Sequence, residues 1–248
     1  MRTGTGYSKT FSKMMWLFAL LLVALTTGCD RDHGGAAGGD PGPAGAVNLG
    51  TAATYGIIAY DAITSSNAND HIYGDVALIA NDSMTGFALT GLPLNPASTK
   101  VTGQINTFSY GDTAAAAQAQ ADLNAAYLDL SSRPAPATVL TTPASAAGVN
   151  GGTFAPGVVN LSGFVLLPGI YAVGTPASDT YALDNSAGPL VLDAEGNEGA
   201  VFIFQAYAMT TTNGSVVLRN GARATNVYWV VTTAATIGSS GNTFFQGT

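Results

Sequence analysis

Three short segments of this 248-residue chain share the pattern alanine, any residue, threonine. They are Ala62-Ile63-Thr64, Ala208-Met209-Thr210 and Ala234-Ala235-Thr236. A threonine carries a methyl group and a hydroxyl group side by side on a stiff, β-branched stem. On a flat surface, the methyl groups can order neighbouring water while the hydroxyl groups anchor it. The pattern therefore indicates a surface that organises water rather than a catalytic site.

Residues suited to catalysis or metal binding are sparse. The chain has two histidines, His33 and His71, and an isolated histidine is more often structural than catalytic. The nearest acidic cluster consists of Asp193, Glu195 and Glu198, which lie in a turn-like segment and lack the spacing of an EF-hand calcium loop. We therefore expect a protein that is not an enzyme and that uses no metal ion or cofactor.

The charge balance excludes nucleic acid as a partner. Charged residues make up only 9% of the chain and the net charge is -7, whereas about a quarter of the residues in ordinary soluble proteins are charged. Phosphate binding requires clustered basic side chains. After Ala46, the basic residues are Lys100, Arg133, Arg219 and Arg223.

The N-terminus has the features of an export signal. A positively charged start leads into the apolar run 14–25, which is too short to span a bilayer comfortably. Residues 26–29 then resemble a bacterial lipoprotein box, which predicts a signal peptide over 1–28 and lipid attachment at Cys29. The alternative is an ordinary signal peptide with Cys29 incidental. Residues 29–45 are rich in Gly, Ala and Pro and predict a tether, so we expect a protein anchored to the cell envelope or secreted.

Two segments near the C-terminus repeat one another. The pattern of residues 188–210 recurs in residues 214–236, at an offset of 26 positions. A period of this length is typical of a solenoid, in which each copy forms one coil that stacks on the next. Both copies end in the same threonine pattern, so stacking predicts a ladder of threonines. A third copy should begin near Asn242, and because the sequence ends at Thr248 we expect the last coil to be incomplete.

A different pattern predicts one long helix at about residues 112–132. Asp112 can cap its N-terminus, and Leu123, Tyr127 and Leu130 fall on one face at helical spacing. Twenty residues give a rod of about 30 Å. Such a rod could lie along roughly six solenoid coils, which stack about 4.8 Å apart.

Several short segments, in this order and spacing, resemble one known family. They are Asn48-Leu49-Gly50-Thr51-Ala52, Ile72-Tyr73-Gly74-Asp75-Val76, Ala117-Gln118-Ala119-Gln120-Ala121-Asp122-Leu123 with Ala126-Tyr127, Leu167-Pro168-Gly169-Ile170-Tyr171, Val201-Phe202-Ile203-Phe204-Gln205, and Asn220-Gly221-Ala222 with Asn226-Val227-Tyr228-Trp229. Together they resemble the ice-binding proteins built on a discontinuous β-solenoid with an axial helix. The resemblance implies that residues 46–248 form an all-β domain with one long helix. Its architecture would be a right-handed parallel β-helix of triangular section, with the α-helix packed along one flat side and ice adsorbed on another.

The resemblance also implies which residues contact ice. In that family the ice-binding face carries a loose pattern of Thr, Ala or Gly, any residue, then Thr or Asn. Residues 233–236 fit this pattern in full, whereas Tyr207 and Asp61 replace the first threonine in the other two segments. The predicted contact residues are Thr64, Ala208, Thr210, Thr233, Ala234 and Thr236.

Strand geometry limits this prediction. Side chains alternate along a straight strand, so Thr233 would point away from the face that Ala234 and Thr236 share. All three can face outward only if a corner or a bulge intervenes.

The strongest alternative is a membrane-anchored surface adhesin or glycan-binding β-solenoid module. Tyr181, Tyr207 and Tyr228 could stack against sugar rings, although aromatic residues in solenoids usually lie in the core. In either case we expect a monomer that binds no nucleic acid, and the ice-binding prediction names an ice crystal surface as its partner.

Overall fold

The computed structural model describes residues 42–65, 71–174, 178–238 and 243–248. The predicted signal peptide (1–28), Cys29 and most of the predicted tether (29–45) lie outside the described residues. The described strands are β1 Tyr55–Ala59, β2 Ala62–Thr64, β3 Asp75–Leu78, β4 Ser83–Thr85, β5 Ile105–Asn106, β6 Val139–Leu140, β7 Gly152–Phe154, β8 Val158–Asn160, β9 Val165–Leu166, β10 Gly169–Ala172, β11 Thr180–Leu183, β12 Leu190–Asp193, β13 Phe202–Thr211, β14 Val216–Arg219 and β15 Val227–Thr236. The helices are α1 Thr113–Ser132 and α2 Pro143–Ala146, with single 3-10 turns at Gly42–Ala44, Gly50–Thr54 and Ala224–Asn226.

The strands after α1 form a solenoid, which we call the C-terminal stack. Each turn of the chain visits three faces in the same order, and equivalent strands in successive turns pair in parallel. The helix face consists of β6, β7, β10 and the first halves of β13 and β15. The open face consists of β8, β11 and the second halves of β13 and β15, and the third face consists of β9, β12 and β14. This arrangement confirms the predicted parallel β-solenoid of triangular section.

Aromatic rings stack inside the C-terminal stack. Tyr171, Phe204 and Trp229 occupy paired positions on β10, β13 and β15. The ring centres of Tyr171 and Phe204 lie 5.4 Å apart, and those of Phe204 and Trp229 lie 4.2 Å apart, with the planes within 18° of parallel. These contacts add to the hydrophobic stabilisation of the core and hold successive coils at one spacing.

The strands before α1 form a smaller N-terminal stack. Strands β1, β3 and β5 make one parallel sheet, and β2 and β4 make another. Its core is separate from that of the C-terminal stack and is built from Ile63, Val76, Leu78, Phe87, Val101 and Ile105.

Helix α1 packs through small residues. Asp112 accepts a hydrogen bond from the Ala115 amide at 2.9 Å, which satisfies one of the free N–H groups at the start of the helix. The buried residues of the helix are Ala116, Ala119, Ala126 and Leu130. The predicted stripe is therefore wrong at Tyr127, which is 37% exposed, because alanines rather than large apolar residues face the sheets. Within the described ranges, neither helix has the length and apolarity that crossing a bilayer requires.

Asp122, in the middle of α1, forms hydrogen bonds to the N-terminal stack. Its carboxylate accepts hydrogen bonds from the Thr51 amide and the Thr51 hydroxyl, both at 2.7 Å, and from Gln118 at 2.8 Å. The two bonds from Thr51 are the main reason that the pKa of Asp122 lies below its usual value. Asp122 thus joins the helix to the turn that precedes β1, although helical periodicity places it off the apolar stripe.

The end of α1 is fastened to the C-terminal stack. The buried Gln205 side chain on β13 donates to the carbonyl oxygens of Leu130 at 2.6 Å and Arg133 at 2.8 Å. These bonds satisfy carbonyl groups that have no partner within the helix.

The domain includes residues before its predicted start at Ala46, and Arg133 binds them. Its guanidinium group donates to the carbonyl oxygens of Ala44 at 2.5 Å and Ala46 at 2.7 Å. Ala44 is only 4% exposed, so residues from Gly42 onward, predicted as tether, pack on the domain.

We predict that Gln205→Leu lowers the free energy of unfolding by about 1–3 kcal/mol, because it removes the donor from one buried and one partly buried carbonyl oxygen. Urea denaturation measures this change. The matched control is Gln120→Leu, which removes only a hydrogen bond to Asn124 on the helix surface and should cost less than about 0.5 kcal/mol. Equal effects of the two substitutions would contradict this role for Gln205.

Candidate functional site

The open face brings together five of the six predicted site residues. Ala208 on β13 pairs with Ala234 on β15, and Thr210 pairs with Thr236. Thr210, Ala234 and Thr236 are exposed and Ala208 is half-buried. Paired positions on neighbouring strands lie about 4.8 Å apart, so the two alanines and the two threonines form two short columns.

Thr233, the fifth of these residues, lies in a bulge of β15. Phe202 pairs with Val227, 25 residues on, whereas Ala208 pairs with Ala234, 26 residues on. The extra residue is accommodated opposite Tyr207, where Thr232 and Thr233 occupy the place of one residue. Thr233 is exposed and its hydroxyl donates to the Tyr207 carbonyl at 2.7 Å. The bulge lies at the corner between the helix face and the open face, so Thr233 lies at the edge of the open face.

Four further residues extend the two columns, and sequence reasoning missed them. Val158 and Thr180 continue the column of Ala208, while Asn160 and Ala182 continue the column of Thr210. The segment Thr180-Tyr181-Ala182 carries the same residue types as the repeated pattern in reverse order, which is the signal that could have identified it. The threonine ladder itself is therefore only two residues long, at Thr210 and Thr236.

On β11 and β13, the residues between the columns point into the core. Tyr181 and Met209 are each 1% exposed and belong to the main hydrophobic cluster of the C-terminal stack. Burial of Tyr181, next to Tyr171, raises the pKa of its hydroxyl well above the usual value. The outward side chains therefore lie on a sheet whose inner side is packed against the core.

Thr64, the sixth predicted residue, lies in the N-terminal stack. It pairs with Thr85 on β4, and Ala62 pairs with Ser83. No hydrogen-bonded strand links this two-stranded sheet to the open face within the described residues. The structure therefore places the predicted residues on two separate sheets.

No charged side chain lies in the two columns of the open face. The eight outward positions are Val158, Asn160, Thr180, Ala182, Ala208, Thr210, Ala234 and Thr236.

A carboxylate lies where the open face ends. Asp184 follows β11, and its carboxylate accepts hydrogen bonds from Asn160 and from the Ser162 hydroxyl at 2.8 Å, and from the Ser186 amide at 2.9 Å. These bonds, with that from Asn160 first, hold the pKa of Asp184 far below its usual range. The charge is thus fixed at the corner by its own hydrogen bonds.

The other two faces differ from the open face. The helix face is covered by the end of α1 and by the turn Gly42–Ala44, because Ile203, Tyr228 and Val230 are buried in one cluster with Leu130 and Ala44. The third face is uncovered and carries paired Asp193 and Arg219 beside a column of valines. The pKa of Asp193 is lowered, first by the Glu195 amide and then by Asn220, so this face holds a firmly ionised carboxylate.

Candidate catalytic and metal-binding residues are not assembled. His71 lies against the Tyr73 ring, with ring centres 4.7 Å apart. Asp193 accepts hydrogen bonds from Asn220, and Glu198 pairs with Arg223. Among the described residues, no three side chains of the types that bind metals come together.

The cleft beside the start of α1 is lined by residues that stabilise the fold. A space of about 870 Å³ lies beside the start of α1 and is bordered by Asp75 and Asp112. Asp75 accepts hydrogen bonds from the Thr54 hydroxyl and the Gln104 amide, both at 2.8 Å, and Asp112 caps the helix. Both carboxylates therefore form hydrogen bonds that stabilise the fold.

The aromatic residues considered for sugar stacking are mostly inaccessible. Tyr181 lies in the core and Tyr228 is 6% exposed beneath the helix. Tyr207 is 37% exposed at the corner of the open face. These three tyrosines therefore do not form the flat platform that the glycan-binding alternative requires.

Comparisons with known proteins agree with this architecture. Residues 57–248 match the ice-binding-like family. The chain is 32% identical over 204 residues to an ice-binding protein from Nostoc sp. (strain HG1), a match that covers 80% of this chain but only 60% of the relative's length. It is 29% identical over 201 residues to ice-binding protein K1-A from Typhula ishikariensis, covering 77% of this chain and 72% of that protein.

A solved structure shows the same fold. A domain of ice-binding protein 1 from Shewanella frigidimarina superposes with a TM-score of 0.63 at 26% identity, covering 82% of each chain. The matched family and these relatives are ice-binding proteins rather than enzymes. A parallel solenoid with one long helix, matched over most of its length, identifies the chain as a member of the ice-binding-like family.

Proposed function

We propose that this protein adsorbs to ice through the open face, and thereby inhibits ice growth and recrystallisation. One observation carries the proposal: of the three faces of the C-terminal stack, the open face alone is both uncovered and free of charge in its outward columns. The contact residues are Thr210, Thr236, Ala208 and Ala234, with Thr233 at the edge. Thr64 contributes from the N-terminal stack.

The spacing of the columns supports this function. Neighbouring strands lie about 4.8 Å apart, and alternate residues along a strand lie about 6.6 Å apart. The outward side chains therefore form a regular two-dimensional array with spacings close to those of oxygen atoms in ice. Water ordered above the methyl groups and anchored by the threonine hydroxyls can merge with the surface of a crystal.

The rigidity of the open face also supports the proposal. Threonine and valine have few rotamers, and Tyr181 and Met209 hold the sheet from within. A preformed surface loses little conformational entropy on binding. Ionised groups would keep water in their own hydration shells, so their absence from the columns favours contact with the ordered water of ice.

We further propose that the protein is exported and attached to the cell envelope by a lipid on Cys29, and that it binds ice as a monomer. The support is the apolar run 14–25 followed by the lipoprotein-like residues 26–29. A tethered protein of this kind would hold ice at the cell surface or protect the envelope from it.

We predict that Thr210→Tyr removes most of the thermal hysteresis of the purified protein. A tyrosine at the centre of the open face projects beyond its neighbours and lifts the array away from the crystal. Val217→Tyr on the third face is the matched control, since Val217 is also partly exposed on a paired strand, and it should retain full activity. Thermal hysteresis, with circular dichroism to confirm folding, measures both variants.

Two outcomes would count against the open face. If Thr210→Tyr keeps full activity while Val217→Tyr loses it, the third face binds ice. If the wild-type protein shows no thermal hysteresis and leaves growing crystals unfaceted, ice binding itself is wrong.

We predict that the full chain incorporates a palmitate analogue when expressed in a bacterium that processes lipoproteins, and that Cys29→Ser does not. Cys29 is the single cysteine of the chain, so the label reports on one site. Labelling is detected by mass or by gel fluorescence. An unlabelled wild-type protein that is nevertheless exported would support an ordinary signal peptide instead.

A further inference from the structure

We propose that the helix side of the domain lies against the lipid bilayer when the protein is anchored. The helix side consists of the outward surface of α1 and of the edge strand β6 on the helix face. This inference rests on the lipid attachment at Cys29 proposed above. It adds a partner, the membrane surface, for a side of the domain other than the open face.

The chain enters the domain on the helix side. Strand β10 of the helix face contacts the turn Gly42–Ala44, and Ala44 is buried in one cluster with Leu130 of α1. The guanidinium group of Arg133, at the end of α1, donates to the carbonyl oxygens of Ala44 and Ala46. The link to Cys29 therefore joins the domain beside the end of α1 and not at the open face.

The link between Cys29 and the domain is short. Gly42 lies 13 positions after Cys29, and a chain of that length spans at most about 45 Å. A tether raises the effective concentration of the surfaces that it brings together, so contacts too weak to hold a free protein can hold a tethered one. The surface beside the attachment point therefore has the greatest opportunity to meet the bilayer.

Large exposed apolar side chains lie on the helix side. Leu128 in the second half of α1 is 67% exposed, and Val139 on β6 is 61% exposed. Val139 pairs with Thr153 on β7, which pairs with Ala172 on β10. Ala172 pairs in turn with Gln205, whose side chain points outward to the end of α1. Val139 therefore points outward on the face where the chain enters, and exposed apolar groups of this kind favour contact with a lipid surface.

The outward surface of α1, a helix that the structure describes in full, carries no charged side chain. The outward positions recur at helical spacing and are all exposed: Ala114, Ala117, Ala121, Ala125, Leu128 and Ser132. The two carboxylates of the helix lie away from these positions, where Asp122 accepts hydrogen bonds from Thr51 and Asp129 pairs with Arg133. A surface helix ordinarily presents charged and polar residues to solvent. An uncharged surface loses little hydration free energy when it is pressed against a bilayer.

The charge of the chain disfavours membrane contact through the other sides. The net charge is -7, and an anionic bilayer repels carboxylates and attracts basic side chains. The third face carries Asp193, and Asp184 lies where the open face ends. The helix side therefore approaches an anionic bilayer with the least repulsion.

This orientation leaves the open face accessible. The helix face and the open face are different sides of one triangular stack. Strands β13 and β15 each run from the helix face into the open face, with the corner at Tyr207, so the position of one face fixes that of the other. A helix side against the bilayer therefore turns the open face toward the surrounding medium, where an ice crystal can reach it.

The test uses the lipidated protein in vesicles of phosphatidylcholine with a minor fraction of phosphatidylglycerol, whose brominated acyl chains quench tryptophan fluorescence on contact. Leu128→Trp and Val139→Trp report on the helix side, while Ala182→Trp on the open face and Val217→Trp on the third face are the controls. Trp229 packs against the core and gives the same background in every variant. Both reporters on the helix side should lose most of their added fluorescence relative to vesicles without bromine, and both controls should keep theirs.

The outcomes separate this inference from the proposed function. Quenching of either control as strong as that of Leu128→Trp, or quenching of none of the variants in protein that sediments with the vesicles, would overturn the orientation and leave lipid attachment intact. Protein that does not sediment with the vesicles would overturn lipid attachment and this inference with it. A change in Leu128→Trp fluorescence that grows with protein concentration in the absence of vesicles would identify a second copy of the chain as the occupant and overturn the membrane contact. Thermal hysteresis of the Cys29→Ser protein, which bears no lipid, tests ice binding separately.

Discussion

Hydrogen bonds between parallel strands in register hold each coil of the C-terminal stack against the next, and the rest of the molecule depends on this pairing. The register of β10, β13 and β15 aligns Tyr171, Phe204 and Trp229 in the interior. The same register aligns Thr210 with Thr236 outside. Because core and surface share one set of hydrogen bonds, the regular spacing of the outer side chains follows from the packing of the inner ones.

Helix α1 determines which surface remains available. It covers part of the helix face with Leu130, and it is bonded to the N-terminal stack through Asp122 and to the C-terminal stack through Gln205. Two uncovered faces then remain, and they differ in charge. The third face carries Asp193 and Arg219, whereas the columns of the open face carry none. The proposed ice contact follows from this difference in charge.

The sequence predicted the solenoid and the helix well because both depend on periodic patterns. The residues of the site were harder to predict. Thr233 lies in a bulge because the turn after β14 is one residue shorter than its counterpart and the bulge restores the register, and neither feature has a local signal. Tyr127 was placed on the buried stripe because alanines occur all around α1 and hide the true contact side.

The most direct test of ice binding through the open face places one charge in its uncharged columns. Ala182 lies within the open face beside Thr210, and Val165 is an exposed residue of β9 on the third face. Inhibition of ice recrystallisation is measured for Ala182→Lys and Val165→Lys at equal concentration. We predict that Ala182→Lys loses the inhibition of ice recrystallisation and that Val165→Lys retains it. Retention in Ala182→Lys with loss in Val165→Lys would contradict it.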